Sequence, residues 1–403
     1  MRKLLALFAV LGSVLSVVGV AWAATPGVSQ DEIKLGVTYV DFAPIKDIVD
    51  ISHGDYEKTY NAVIDDLNKK GGVNGRKIVP VFGKVNPLGT APAQEVCLKL
   101  TEDQKVFAAV GFFILDAQQC YVAQHDTPVL GGTMNPTYLQ QAKAPWMTLD
   151  SGPEVTPRAI DALAASGALK GKIGVVAAAT EEKNLLDAVV TPSLKRHGVK
   201  YTTAIIDAPL TDTVAATQQA GTIAQRFQSD GIKTVLLVGS TPSAFSNALK
   251  NTDYRPKLVG TPFSTFQAAA INKATDPALW KGAVTSDIGT DFNDPSLQKC
   301  YTLVEKATGD TIVQYPESGK PDYQASASAA CRYISLFSQL AGAAGKELTV
   351  AGFGKAAEKL GSVTLPGSGT VKYDPKTHTW LQPLYTYKYD PTRAQLIIDK
   401  KIS

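Results

Sequence analysis

Ile33 to Pro44 reads IKLGVTYVDFAP, a short β-branched and apolar run that stops at Asp41-Phe42-Ala43-Pro44 and gives way to a long helical pattern. We read it as the first strand of a parallel sheet, because strands buried on both faces form near-continuous apolar runs. Ligands of open α/β sheets bind outside the carboxyl ends of the strands, so the loop from Tyr39 to Asp47 is expected to face the functional site.

The arrangement repeats downstream. Tyr56, Tyr60, Val63, Ile64 and Leu67 fall at helical spacing before Gly71-Gly72; Arg76 to Phe82 reads as a strand; a helix from about 91 to 103 leads into a strand at Val106 to Val110. Pro128 to Leu130 and Trp146 to Leu149 are further short strands. The pattern then restarts, with strands at Lys172 to Ala178, Tyr201 to Ile206, Thr234 to Val238 and Leu258 to Gly260, and helices near 182–196, 213–229, 242–250 and 264–273. Strands alternating with helices imply βαβ units, and two runs of them imply two doubly wound lobes. Thr156, Thr241 and Asp294 each precede a proline and are expected to cap helices. Helices near 295–307, 322–343 and 351–360 continue the theme, and the last forty residues read as strands and turns, with alternation in Trp380 to Tyr389.

Composition narrows the class. Arg2 and Lys3, the apolar run Leu4 to Val20 and the site Ala21-Trp22-Ala23 form a secretory signal, with cleavage expected before Ala24 and export to the periplasm or beyond. Loss of Arg2 and Lys3 takes the formal charge from +3 to +1. So small a balance, without basic runs, argues against nucleic acid or anionic lipid as partner. After the leader no apolar segment is long enough to span a bilayer, so no membrane insertion of the mature chain is expected. Four cysteines allow three pairings. Cys97 and Cys120 fall on successive expected helices flanking one short strand, and so do Cys300 and Cys331 if the stretch between them folds similarly, which favours two local bridges. No CxxC occurs and His53, His125, His197 and His378 are scattered, so no metal site is expected.

A nucleophile elbow, a phosphate loop, a GxGxxG after the first strand and an HExxH are all absent; no catalytic residue and no cofactor are assigned. The strand ends instead carry hydroxyls, glycines and aromatics. The candidates are Tyr39, Asp41 and Phe42; Phe112, Phe113 and Ile114; Gly132, Thr133 and Met134; Thr180; Ser240 and Thr241; Phe263 and Ser264; and Asp287. Facing one another across a cleft, they would suit a small, partly hydrophobic solute better than a sugar or a phosphate. Each has a plainer role: a core plug for the phenylalanines, a helix cap for Thr180, Thr241 and Ser264, a solvated turn for Asp41 and Asp287.

IKLGVTYVD after a leader, NKKGGVNGRKI from Asn68, VFAAVG from Val106, PVLGGTMNP from Pro128 and GKIGVV from Gly171 carry a resemblance. The chain resembles the type I periplasmic binding proteins, specifically the leucine/isoleucine/valine-binding group that delivers solutes to ABC importers. The resemblance implies an α/β fold of two lobes, 24–150 with about 288–362 and 151–287 with about 363–403, joined by three crossovers and closing around one ligand. It also implies a monomeric solute-binding component of an ABC importer, with a membrane permease as partner and a branched-chain or hydrophobic amino acid, or a related aromatic or aliphatic carboxylate, as ligand. A ligand-sensing protein signalling to a receptor or kinase is the alternative, and a secreted enzyme a more remote one. In the family, loops matching Gly111 to Asp116 and Gly131 to Asn135 hold the ligand carboxylate, and the loop matching Thr261 to Phe266 usually supplies an acid for the amine. Here GFFILDAQQ has no hydroxyl at its tip, and TPFSTF has no carboxylate. A buried ammonium without a counter-charge costs several kcal/mol, so either Asp41 or Asp287 substitutes or the ligand lacks an amine.

Overall fold

A computed structural model describes residues 25–46, 51–114, 116–133, 136–149, 155–179, 181–272, 276–316 and 320–402. The leader, Met134 and Thr180 lie outside the described residues. The first sheet holds β1 (Glu32–Val40), β2 (Lys77–Val85), β3 (Ala108–Gly111), β4 (Val129–Gly131) and β5 (Trp146–Met147), all parallel in the order β2-β1-β3-β4-β5. β3 is buried at every position, as a strand covered on both faces must be. Pro80, which has no N–H for a ladder, falls on the edge strand β2.

The second sheet is built on β6 (Lys172–Ala178), β7 (Lys200–Ile206), β8 (Thr234–Val238), β9 (Lys257–Thr261) and β10 (Val284–Ile288). Gly174 and Gly260 leave room for helix aromatics against this sheet: a Cβ would come within 2.3 Å of Phe227 and 2.1 Å of Phe266. Past β10 the helices Pro295–Thr308, Tyr323–Ala344 and Val350–Leu360 return to the first lobe, where Ala330, Phe337, Leu340 and Phe353 share a core with Ile33, Leu35 and Val37 of β1. Asp55, Asp212, Asp294 and Asp322 each accept a backbone N–H at a helix start.

The carboxyl-terminal strands depart from the expected division. β11 (Ser362–Leu365), β12 (Gly369–Asp374) and β13 (Thr379–Leu381) form a small antiparallel sheet whose Val363, Leu365, Val371 and Trp380 belong to the first lobe's core. The return to the second lobe falls at β14 (Leu384–Asp390), not at about 363. β14 pairs antiparallel with β10, and β15 (Gln395–Lys401) pairs with β14. The alternation from Trp380 to Tyr389 is thus two strands in two sheets, broken by Gln382-Pro383. Two of the expected caps also differ. The helix Val155–Ala165 begins ahead of Thr156, and the Thr241 hydroxyl donates to Val238 O (2.9 Å) instead of capping.

Both local disulfides are present, Cys97–Cys120 and Cys300–Cys331. The first joins the helix Thr90–Leu98 to the turn Cys120–Gln124 under β3, and the second joins the two helices that follow β10. No helix among the described residues is long and apolar enough to cross a membrane.

Candidate functional site

Connectivity fixes which edges face each other. The chain leaves the first sheet after β5 and enters the second lobe at the start of the helix Val155–Ala165; it leaves again after β10, and returns from β13 to β14 beside the end of β10. All three crossovers join carboxyl edges of the parallel strands, so these edges and their loops line the space between the lobes, where α/β sheets bind ligands.

On the first lobe, the residues at and just past the end of β1 are committed internally. The Tyr39 ring stacks on Tyr56 (5.2 Å between centroids) and its hydroxyl donates to Glu57 Oε1 (2.6 Å). Burial, then Glu57, holds that phenol well above the usual tyrosine range. Asp41 accepts from Lys84 Nζ (3.1 Å) and from the Ala43 N–H (3.0 Å), while Phe42 lies edge-on to His53 at 4.8 Å. After β3, Phe113 is a core plug packed against Tyr121, whereas its neighbour Phe112 is 37% exposed. Ile114 is half-buried and Thr133 exposed. Gly131 and Gly132 have φ of 138° and 71°, conformations that only glycine adopts readily, and present bare backbone at the end of β4. A Cβ on Gly132 would collide with the amide of Gln118, a side chain 2% exposed whose Oε1 has no partner.

On the second lobe, Ser240 and Ser264 are exposed at the ends of β8 and β9. Thr241 is fully buried with its hydroxyl turned back to the sheet. Asp287, at the end of β10, accepts from the N–H groups of Phe263 (3.1 Å) and Ile288 (2.7 Å). Phe263 packs on Tyr387 of β14 at 4.4 Å. Tyr387 donates to Ile288 O (2.9 Å), and burial together with Asp287 raises its pKa far above the ordinary value.

Several residues at these edges carried no signal in the sequence. Glu182 accepts from the N–H groups of Ala178 (3.0 Å) and Ser240 (2.6 Å), tying the ends of β6 and β8 together. Gln382, 2% exposed between β13 and β14, is a clasp at the crossovers: its Oε1 accepts from Arg332 Nη1 (2.9 Å) and Ser368 Oγ (3.0 Å), its Nε2 donates to Leu149 O, and its own carbonyl accepts from Arg158 Nη2 (2.8 Å). Leu149 is in the first crossover, Arg332 and Ser368 in the first lobe, Arg158 in the second. From the loop before the helix Tyr323–Ala344, the Tyr315 hydroxyl receives the Ile398 N–H of β15 (2.8 Å). Only register could have revealed these contacts. Among the described residues the one grouping with metal-ligand spacing, Cys97, Cys120 and His125, has both sulfurs in a disulfide and so is not a metal site.

The profile of a family described as periplasmic binding protein matches residues 32–394. Among curated protein sequences none matches the chain. Solved structures share the fold at low identity. An ABC transporter substrate-binding protein from Desulfitobacterium hafniense, in complex with leucine, is 14% identical with a TM-score of 0.65, over 92% of this chain and 100% of that one. A solute-binding protein of an ABC transporter from Rhodopseudomonas palustris HaA2, in complex with p-hydroxybenzoic acid, is 15% identical (TM-score 0.64; 93% and 96% covered). A fatty acid ABC transporter substrate-binding protein from Thermomonospora curvata is 15% identical (TM-score 0.62; 94% of both chains).

Proposed function

The chain belongs to the periplasmic binding protein family, and from that premise we propose that it is the exported solute-binding component of an ABC importer, taking a small, largely apolar carboxylate that has no ammonium group. The observation that carries the ligand class is the state of the carboxylates at the strand ends. Asp41 is held by Lys84 and Ala43, Asp287 by Phe263 and Ile288, and Glu182 by Ala178 and Ser240. Each is oriented by those bonds, and turning it to meet an ammonium would break them, at about 1.5–3 kcal/mol per hydrogen bond. An α-amino acid therefore starts at a disadvantage that a deaminated acid does not share.

For the ligand's own carboxylate, the Gly131-Gly132-Thr133 turn offers backbone N–H groups and a hydroxyl, and Phe112 and Ile114 offer apolar cover. Relatives of the same fold are bound to p-hydroxybenzoic acid and to leucine, which brackets the two ligand classes at issue. Closure of the lobes over the solute would give the permease a state to read. No step of chemistry is assigned to any residue.

Thermal unfolding of the mature protein in 4-hydroxybenzoate, phenylacetate and 4-methyl-2-oxopentanoate, against phenylalanine and leucine, tests this. A ligand at a hundredfold its Kd stabilises by about 2.7 kcal/mol. At roughly 2 cal/mol/K of unfolding entropy per residue, that is a rise of about 3 °C. Shifts with the deaminated acids and none with the amino acids are expected; the reverse pattern would overturn the ligand class while leaving the binding role intact.

A further inference from the structure

At the amino edge of the second sheet, opposite the candidate site, β6, β7 and β9 each begin with a lysine: Lys172, Lys200 and Lys257. Two adjoining depressions open on this end, of about 580 and about 340 Å3, with Ala165 in the wall of both. Together they are lined by Lys170, Lys172, Lys200, Lys257, Lys388 and Lys400 against a single carboxylate, Asp399. Asp399 is taken by Lys388 (2.8 Å), and Lys172 has Asp230 at 4.0 Å. The nearby Asp161 is taken by Arg196 and His197. Among the described residues no carboxylate comes within 4.0 Å of Lys170, Lys200, Lys257 or Lys400. Lys257 shows the resulting imbalance, since burial and the charge of Lys388 both lower its pKa.

A formal balance of +1 for the mature chain conceals this segregation, because charge summed over the sequence carries no position. Lysines in part serve helix carboxyl ends here, which accounts for single positive charges after a helix. It does not account for six lining one face with one carboxylate among them. The cations come from several separate loops and strands, not from one enclosed pocket, a distribution that matches an extended anionic surface better than one small anion. Ile271, an apolar side chain 49% exposed, lies in the loop leading to β10 at the same end.

We propose that this face docks the protein on a membrane surface bearing anionic phospholipid, leaving the space between the lobes free. The contact is peripheral and electrostatic, so it is weakened by salt.

Sedimentation of the mature protein with vesicles of one-third phosphatidylglycerol in phosphatidylcholine tests it, with pure phosphatidylcholine, inorganic phosphate and a polyglutamate peptide as further arms. Binding to the anionic vesicles alone, reversed at high salt, is expected. Replacing Lys170, Lys200 and Lys400 together by alanine should weaken it about 100-fold, at roughly fivefold per lysine. Their side chains are exposed, so the variant should keep the parent's urea midpoint. No sedimentation, equal binding to pure phosphatidylcholine, or binding that the triple variant retains would overturn the proposal. Binding of polyglutamate without vesicle binding would do so as well, and would assign the face to an acidic protein instead.

Discussion

Replacing Gln382 by methionine keeps the side chain's length and removes its polarity, which isolates the clasp at the crossovers. Three side-chain hydrogen bonds disappear: those with Arg332, with Ser368 and with the carbonyl of Leu149. Ser368 and Leu149 are 3% and 2% exposed, so water does not replace the partner. At about 1 kcal/mol for each neutral bond, and somewhat more for the one to the guanidinium, the loss should be about 3 kcal/mol. With a urea m-value of about 3 kcal/mol/M, near the top of the usual range because the chain is long, the midpoint should fall by about 1 M. Arg332→Met supplies the second edge of a double-mutant cycle. If Gln382 acts through Arg332, the double variant should cost at least 0.5 kcal/mol less than the two singles added, since residues sharing a hydrogen bond couple by about 0.5–3 kcal/mol. Additive singles, or a Gln382→Met midpoint within about 0.2 M of the parent's, would refute the reasoning.

Two further expectations follow from residues away from the crossovers. The disulfides span 23 and 31 residues. Chain entropy gives each about 3–4 kcal/mol, so Cys97→Ala with Cys120→Ala should lower the unfolding free energy by that amount, and a loss under about 1 kcal/mol would show that the bridge constrains little. His53 is kept below the ordinary histidine range by burial, against the opposing pull of Asp322. The unfolded chain therefore takes up a proton at higher pH than the folded one. The stability this group contributes is complete above about pH 6.5 and is lost as pH falls through the lower folded value. His53→Gln should flatten the stability profile in that window, measured by urea unfolding from about pH 7.5 down to 5; an unchanged slope would exclude His53 as its source.

Much of the fold was legible because it rests on local signals. The run IKLGVTYVD became β1, and the alternation of strands and helices gave two parallel sheets, since burial on both faces leaves its mark on composition. The first disulfide followed from segments that flank β3; the second joins two consecutive helices with no strand between them among the described residues, so there the expected flanked strand is absent although the pairing is the one favoured. For the candidate site the sequence pointed to loops and could not say which side chains face outward from them. Phe112 and Phe113 adjoin the end of β3, where successive side chains point opposite ways, so one of the pair had to enter the core. Sequence could not say which; packing against Tyr121 buried Phe113 and left Phe112 exposed.

The sequence by itself determined the α/β class and, through its family resemblance, the two-lobed plan, and it favoured the two local disulfides. All of these depend on period, composition or short separation along the chain. Tertiary structure alone decided that residues 362–381 stay with the first lobe, because their apolar faces complete its core and the return begins only at β14. It decided that Asp41, Asp287 and Glu182 are each oriented by partners within the chain, and that lysines distributed through the sequence meet on one face. Those outcomes depend on which distant segments pair, and a strand's pattern states that it is buried without naming what buries it.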